Sequence, residues 1–272
     1  MIDSYKVAAL QLDSGKDIEK NLQSCASLIE QAAACGARLV STPENTDFIR
    51  ARYQDKMSVA CKQADHPAIE MGRTLAARHG IVLHLGSLTI LNDDGTLSNR
   101  SYLFGPNGEI IAHYNKIHMF DVQLSNGEIY QESKAFKAGD KAVLVDTPLG
   151  KLGLTICYDL RFPHLYRHLA KLGVKIMFVP AAFTVPTGKA HWESLLRSRA
   201  IENGCYIVAS AQTGSHEGEK DTYGHSLIIN PWGEILADGG SSEGIIYADI
   251  DLAQVDTVRK SIPSLQHDRD YS

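Results

Sequence analysis

Short apolar runs alternate along this chain with longer stretches of helical periodicity. Val7-Ala8-Ala9-Leu10-Gln11-Leu12 has the pattern of a buried strand. From Asp17 to Ala34, the positions Ile18, Leu22, Cys25, Leu28, Ile29 and Ala32 recur at helical spacing, and Gly36 is a stop signal. Arg38-Leu39-Val40-Ser41-Thr42 reads as a second strand, and it delivers Glu44. His66 to His79 predicts a helix, with Pro67 in its first turn and Gly80 behind it. Ile81 to Leu88 is a third strand. The second half repeats the theme. Leu152 to Cys157 ends a strand, Pro163–Leu172 is a helix, Lys175–Pro180 a strand, His191–Asn203 a helix closed by Gly204, and Tyr206–Ala211 a strand. Such alternation predicts an α/β architecture.

One internal echo stands out. Ser101 to Ala112 and Ser226 to Ala237 both read as strand–turn–strand hairpins, sharing Pro106-Asn107-Gly108-Glu109-Ile110 and Pro231-Trp232-Gly233-Glu234-Ile235. The echo points to a duplicated unit, and two sheets packed face to face would suit it. No stretch rich in Pro, Gly or Ser is long enough to separate two domains. Residues 1–272 are therefore expected to form a single domain.

Composition narrows the function classes. The chain has 272 residues, 44% apolar and 22% charged, with net charge −5. The signs are interspersed, which argues against a nucleic-acid or anionic-membrane partner. No apolar stretch is long enough to span a bilayer, and the first residues carry no secretory pattern. The five cysteines have no short paired spacing, so a reducing cytoplasm is expected. Cys25, Cys35 and Cys205 lie in apolar patterns and read as small hydrophobic groups.

Cys157 differs. It stands where an apolar run breaks into Tyr158-Asp159-Leu160-Arg161-Phe162-Pro163 and a helix, a place where nucleophiles are presented. Amide hydrolysis needs a nucleophile, a base that later returns the proton, a stabiliser of the oxyanion, and activated water. Cys157 can be the nucleophile. Glu44, in Thr42-Pro43-Glu44-Asn45, can be the general base and acid. Lys116 can favour the thiolate and donate to the oxyanion, together with the backbone N–H of Tyr158.

Jointly, Pro43-Glu44, Lys116-Ile117-His118 and Cys157-Tyr158-Asp159-Leu160-Arg161-Phe162-Pro163 resemble the three signature regions of the nitrilase superfamily of carbon–nitrogen hydrolases. The resemblance continues through Ala190-His191-Trp192-Glu193, Arg197 to Asn203, Tyr223-Gly224-His225-Ser226 and Asn230 to Glu234, as far as Ile262-Pro263. It implies a four-layer α-β-β-α sandwich and a Glu–Lys–Cys triad on Glu44, Lys116 and Cys157, acting through a thioester. It also implies a second active-site glutamate, for which Glu132 fits best and Glu128 is close. No metal or organic cofactor is expected. The partners implied are a small-molecule amide and further copies of the chain, as a homodimer or higher homo-oligomer. Within the superfamily, the motifs resemble the amidase branch acting on 2-oxo acid amides. Two activities compete: cleavage of deaminated glutathione to 2-oxoglutarate and Cys-Gly, favoured by Asp47-Phe48-Ile49 and Ala209 to His216, and omega-amidase action on 2-oxoglutaramate. Hydrolysis of N-carbamoyl or ureido compounds is more remote. A non-enzymatic scaffold would have lost a triad residue, and all three are present.

Other patterns carry less. Gly240-Ser241-Ser242-Glu243-Gly244 matches a serine-hydrolase elbow, but a strand pattern follows it, so a hairpin loop is expected. His164 and His168 share a helical face without a third ligand. Trp192, Leu195, Leu196 and Arg199 mark an amphipathic helix, read as core packing plus a solvated face or as a subunit interface, which the resemblance favours. The Thr213–Asp221 loop, rich in Gly and charge, is a candidate wall for the outer pocket.

Overall fold

The structure is a computed structural model that describes residues 4–50, 53–124, 127–216 and 221–269. In the first half come β1 (Ser4–Gln11), α1 (Ile18–Ala34), β2 (Ala37–Ser41), α2 (Tyr53–Val59), α3 (Pro67–His79), β3 (Val82–Leu91), β4 (Leu97–Phe104) and β5 (Ile110–Asn115). A small hairpin, β6 (Asp121–Gln123) with β7 (Ile129–Gln131), leads to β8 (Val143–Thr147). Then follow β9 (Gly150–Leu154), α4 (Pro163–Lys171), β10 (Ile176–Phe178), α5 (Val185–Asn203) and β11 (Tyr206–Ala209). The short pair β12 (Thr213–Gly214) and β13 (Thr222–Tyr223) precedes β14 (Leu227–Ile229), β15 (Ile235–Asp238), β16 (Gly244–Asp251) and α6 (Leu252–Ser261).

Two six-stranded sheets result, ordered β16-β1-β2-β3-β4-β5 and β15-β14-β11-β10-β9-β8. In each, three parallel strands linked by helices run on into an antiparallel hairpin, and one added antiparallel strand flanks the first. The echoing hairpins are β4–β5 and β14–β15, at equivalent places in the two sheets, as a duplicated unit requires.

Alternation along β1 shows how the layers form. Val7 and Ala9 face a core shared with the second sheet, while Ala8 and Leu10 face α1 and α3. A strand covered on both faces reads as one continuous apolar run. Helices α4 and α5 cover the far side of the second sheet, completing the α-β-β-α sandwich. Asp17 caps α1, and the His66 ring accepts from the Ala68 N–H to cap α3. Among the described residues, no helix is long and apolar enough to cross a membrane.

Three expectations change. Helix α5 begins at Val185 rather than His191, because Pro186 fits a first helical turn. Its Trp192, Leu196 and Arg199 are buried in their own chain, not presented to a second copy. Trp192 packs on Phe183 and donates to the His225 carbonyl, and the Arg199 guanidinium donates to the Leu160 carbonyl beneath Tyr166. Gly240 to Gly244 is not a hairpin loop but a crossover, since β15 and β16 belong to different sheets. Cys35 is exposed at the end of α1 and is no core residue.

Polar groups stitch the sheets together. The Tyr5 hydroxyl donates to the Leu149 carbonyl and the Ser210 hydroxyl to the Ser41 carbonyl. His84 of β3 stacks on Phe178 of β10, with ring centroids 4.3 Å apart, and its Nδ1 meets the Ser41 hydroxyl at 3.0 Å. Burial holds this imidazole down to about 3, so it is neutral in the folded chain. An unfolded histidine takes a proton near pH 6.5. The unfolded state therefore binds the proton first as pH falls. This contribution to stability is whole above about pH 6.5, declines by about 1.4 kcal/mol per pH unit below it, and levels off near pH 3. Replacing His84→Gln is expected to narrow the stability gap to wild type between pH 7 and pH 5, as read from urea midpoints. Parallel pH curves would show that His84 carries no such linkage.

Candidate active site

Three loops meet at one end of the two sheets, two of them beyond the C-terminal ends of the parallel strands β2 and β9 and one beyond the antiparallel strand β5. The first follows β2. The Thr42 hydroxyl accepts from the Gly86 N–H at 2.9 Å and pairs with the Thr46 hydroxyl at 2.7 Å. Asn45 takes a left-handed conformation (φ 57°) and donates its N–H to the Ser87 hydroxyl. Gln212, from beyond β11, donates its amide to the backbone carbonyls of Glu44 and Asn45, both at 3.1 Å. Gly86 lies directly under this turn. A Cβ there would sit 2.0 Å from the Thr42 carbonyl oxygen, so only glycine lets the loop pass.

Lys116 follows β5, and its N–H donates to the Asn99 carbonyl at 3.0 Å. Its ammonium lies 2.9 Å from Glu44 Oε1 and 2.9 and 2.8 Å from the two oxygens of Glu132. Lys116 is 2% exposed and Glu44 3%. Burial alone would pull the ammonium down; Glu132, Glu44 and Cys157 outweigh it and hold Lys116 well above the ordinary lysine value. The lysine stays charged and cannot act as a base.

Glu132 opens a short turn after β7, where Oε2 also accepts the Phe120 N–H at 2.7 Å. Glu44 Oε2 accepts the Ala182 N–H at 3.0 Å. Glu128, by contrast, is exposed on the small hairpin and meets the Tyr130 hydroxyl at 2.7 Å. Of the two glutamates, only Glu132 is brought to the lysine.

Cys157 begins a five-residue 3-10 turn three residues beyond the end of β9, with φ at 49°. A left-handed thiol-bearing residue is strained, a device seen at sharp nucleophile turns. Its N–H donates to Pro180 O at 2.8 Å, and the Asp159 N–H donates to Ile156 O at 3.0 Å. The intervening Tyr158 N–H has no acceptor among the described residues and is the donor available to an oxyanion. Asp159, fully buried, clamps this turn to the lysine loop. It accepts from the Ile156 N–H at 2.8 Å, the Tyr114 hydroxyl at 2.7 Å and the His118 N–H at 3.0 Å, and its Oδ1 meets His118 Nδ1 at 2.7 Å.

Glu44, Lys116, Glu132, Cys157 and Tyr158 all line one cleft of about 370 Å³. Its other cations are Arg50, Lys56 and Lys134, and aromatic walls come from Phe120, Tyr130, Phe136 and Phe183. The described part of the Thr213–Asp221 loop does not line the cleft, although the His216 carbonyl accepts from Arg50, which does; residues 217–220 lie outside the described residues. His164 packs edge-on against His118 and Phe162. Asn99 and Gln212 escaped the sequence reading. An asparagine in the middle of β4, where strand propensity disfavours it, was the available signal for the first.

The carbon–nitrogen hydrolase family model matches residues 6–260. The chain belongs to this family. It is 42% identical over 268 residues to a deaminated glutathione amidase of Synechocystis, with 97% of each chain covered. It is 34% identical to the human omega-amidase NIT2, covering 98% of this chain and 95% of that protein. The solved structure of Caenorhabditis elegans NitFhit superposes with TM-score 0.92 at 40% identity, over 98% of this chain and 65% of that one. An amidase mutant from Nesterenkonia superposes with TM-score 0.83 at 25% identity over 98% of this chain and 94% of its own; there the acetamide moiety of fluoroacetamide is covalently added at the active site cysteine. The protein is a hydrolase of carbon–nitrogen bonds.

Substituting Gly86→Ala tests the seat of the Glu44 turn. The methyl cannot fit against backbone, so the turn must lift by a fraction of an ångström or more. A loss of kcat/KM on the order of 100-fold is expected, with the far- and near-UV circular dichroism of a folded chain. Unchanged kinetics would show that the turn is not held by this contact.

Proposed function

We propose that the protein is a cysteine-dependent amidase of small 2-oxo acid amides, and that it cleaves deaminated glutathione to 2-oxoglutarate and Cys-Gly. The observation that carries this reading is the shared cleft, in which Cys157 lies with a buried lysine held between two carboxylates, the buried Glu44 and the half-buried Glu132. The Cys157 thiol gives its proton to Glu44, and the sulfur attacks the amide carbonyl. Lys116 and the Tyr158 N–H receive the developing oxyanion. As the tetrahedral species collapses, the C–N bond breaks and Glu44 returns the proton to the leaving amine. A thioester remains. Glu44 then takes a proton from water, whose oxygen attacks the thioester; the C–S bond breaks, the acid is released, and Glu44 returns the proton to the Cys157 sulfur. Glu132 remains the anion that keeps Lys116 in place.

Substrate class follows from charge and size. Four cations against two carboxylates suit an anionic substrate, and 370 Å³ exceeds what an ammonia leaving group needs. The Synechocystis relative supports the same substrate. The omega-amidase reading draws on the human relative. A nucleophilic thiol also suits a reducing cytoplasm. Steady-state kinetics decide. A kcat/KM for deaminated glutathione at least about tenfold above that for 2-oxoglutaramate is expected, with an aryl nitrile poorer still and Cys157→Ala inactive on all three. A higher value for 2-oxoglutaramate would favour the omega-amidase, and an active alanine variant would end the mechanism.

We also infer a homodimer. Because the inner face of α5 is taken, its exposed side is the surface left, and Ile201, Trp232 and Ile262 are exposed around a groove between α5, the β14–β15 turn and α6. Light scattering at micromolar concentration should give twice the chain mass, and Trp232→Glu with Ile262→Glu should halve it. A monomeric wild type would refute this assembly.

A further inference from the structure

Asn99 stands on the inner face of β4, 3% exposed, where its side chain touches both carboxylates of the ion triad and its backbone carbonyl the Lys116 backbone N–H. Its Nδ2 donates to Glu44 Oε1 at 2.9 Å and to Glu132 Oε1 at 3.1 Å. Its carbonyl accepts the Lys116 N–H. The amide orientation is forced: turned over, it would set an oxygen against two carboxylates. The cost of this orientation is visible in Asn99 Oδ1, which is buried without a hydrogen-bond partner among the described residues. A group that leaves its own acceptor unsatisfied in order to aim both N–H bonds at two carboxylates is placed for those carboxylates.

We propose that Asn99 is a positioning residue that fixes Glu44 beside Glu132 around the single Lys116, so that Glu44 is free of protons when the Cys157 thiol must be deprotonated. The inference rests on the reading of Glu44 as the base. Two carboxylates sharing one cation repel each other, and such pairs tend to keep a proton between them. Lys116 neutralises only one. The N–H bond from the neutral amide to Glu44 favours its ionised form without adding charge, and the second N–H holds Glu132 at its side. The charged and titratable groups facing Glu44 are Lys116 beyond β5, Glu132 beyond β7 and Cys157 beyond β9; from beyond β10 comes the uncharged Ala182 N–H. Asn99 is the neutral member that bridges the two acids.

The test is the pH dependence of kcat/KM in Asn99→Asp, Asn99→Ala and Asn99→Ser. Asn99→Asp is nearly isosteric but replaces two donors by a third carboxylate. Its rate at pH 7 should fall on the order of 100-fold, the acid limb should move up by about one pH unit or more, and part of the loss should return at high pH. Asn99→Ala should move the limb less, and Asn99→Ser, which keeps one donor, least. If Asn99→Asp fails to fold, the alanine and serine variants carry the test. A uniform loss at every pH, with the limb unmoved, would mean that Asn99 only supports the structure and would overturn the proposal. Glu44→Gln separates the two claims. If it retains activity, the reading of Glu44 as base fails; if it is inactive while the Asn99 limbs stay put, the inference about Asn99 fails alone.

Discussion

The arrangement depends on one buried cation shared by two carboxylates, Glu44 fully buried and Glu132 partly so. Lys116, Glu44 and Glu132 are each costly to take out of water alone, and together they are tolerable only because every partner is present. Removing one member of such a group typically destabilises by about 3–5 kcal/mol, since a charge is left stranded. The surrounding backbone is built to this requirement. The Ala182 and Phe120 N–H groups fill carboxylate positions that the lysine does not, and Asp159 ties the lysine loop to the cysteine turn. Chemistry and stability are thus hard to separate here, because the ions that polarise the thiol also hold three loops together.

The same economy explains why the site sits where the two sheets meet. Glu44 arrives from the end of β2 in one sheet and Cys157 from beyond β9 in the other. Gln212, from the second half, holds carbonyls of the turn that carries Glu44. Neither half of the duplicated unit contains a working set of groups. The face-to-face core, including the stack of His84 on Phe178, sets the distance between them.

Much of this was legible in the sequence, and the reason differs from element to element. The parallel strands were plain because burial on both faces writes an unbroken apolar run, as in Val7 to Leu12. Glu44, Lys116 and Cys157 stood out through short motifs whose spacing along the chain is local, whereas Glu132 was pointed to only by the family resemblance, with Glu128 close beside it. Asn99 was not legible, since its meaning comes from residues 55 and 33 positions away. The burial of Arg199 on α5 was not legible for a similar reason. An arginine looks solvated by type, yet this guanidinium satisfies the Leu160 carbonyl inside the core, and sequence spacing alone does not reveal a buried acceptor. The crossover at Gly240 to Gly244 resembles a hairpin because turn chemistry is the same whether the next strand joins the same sheet or the opposite one.

The pairing of β1 with β16 has a further consequence for biosynthesis. Ser4 lies opposite Asp251, so β1 is completed by β16, a strand made long after it. While the ribosome extends the chain, β1 must wait with one edge open until β16 has been made. Val7, Ala8, Ala9 and Leu10 make that edge an apolar one, of the kind that recruits other nascent strands. Only the arrival of β16 seals it. Loss of that strand through premature termination would therefore leave a sticky first sheet, and the truncated product would be a client for chaperones rather than a weaker enzyme.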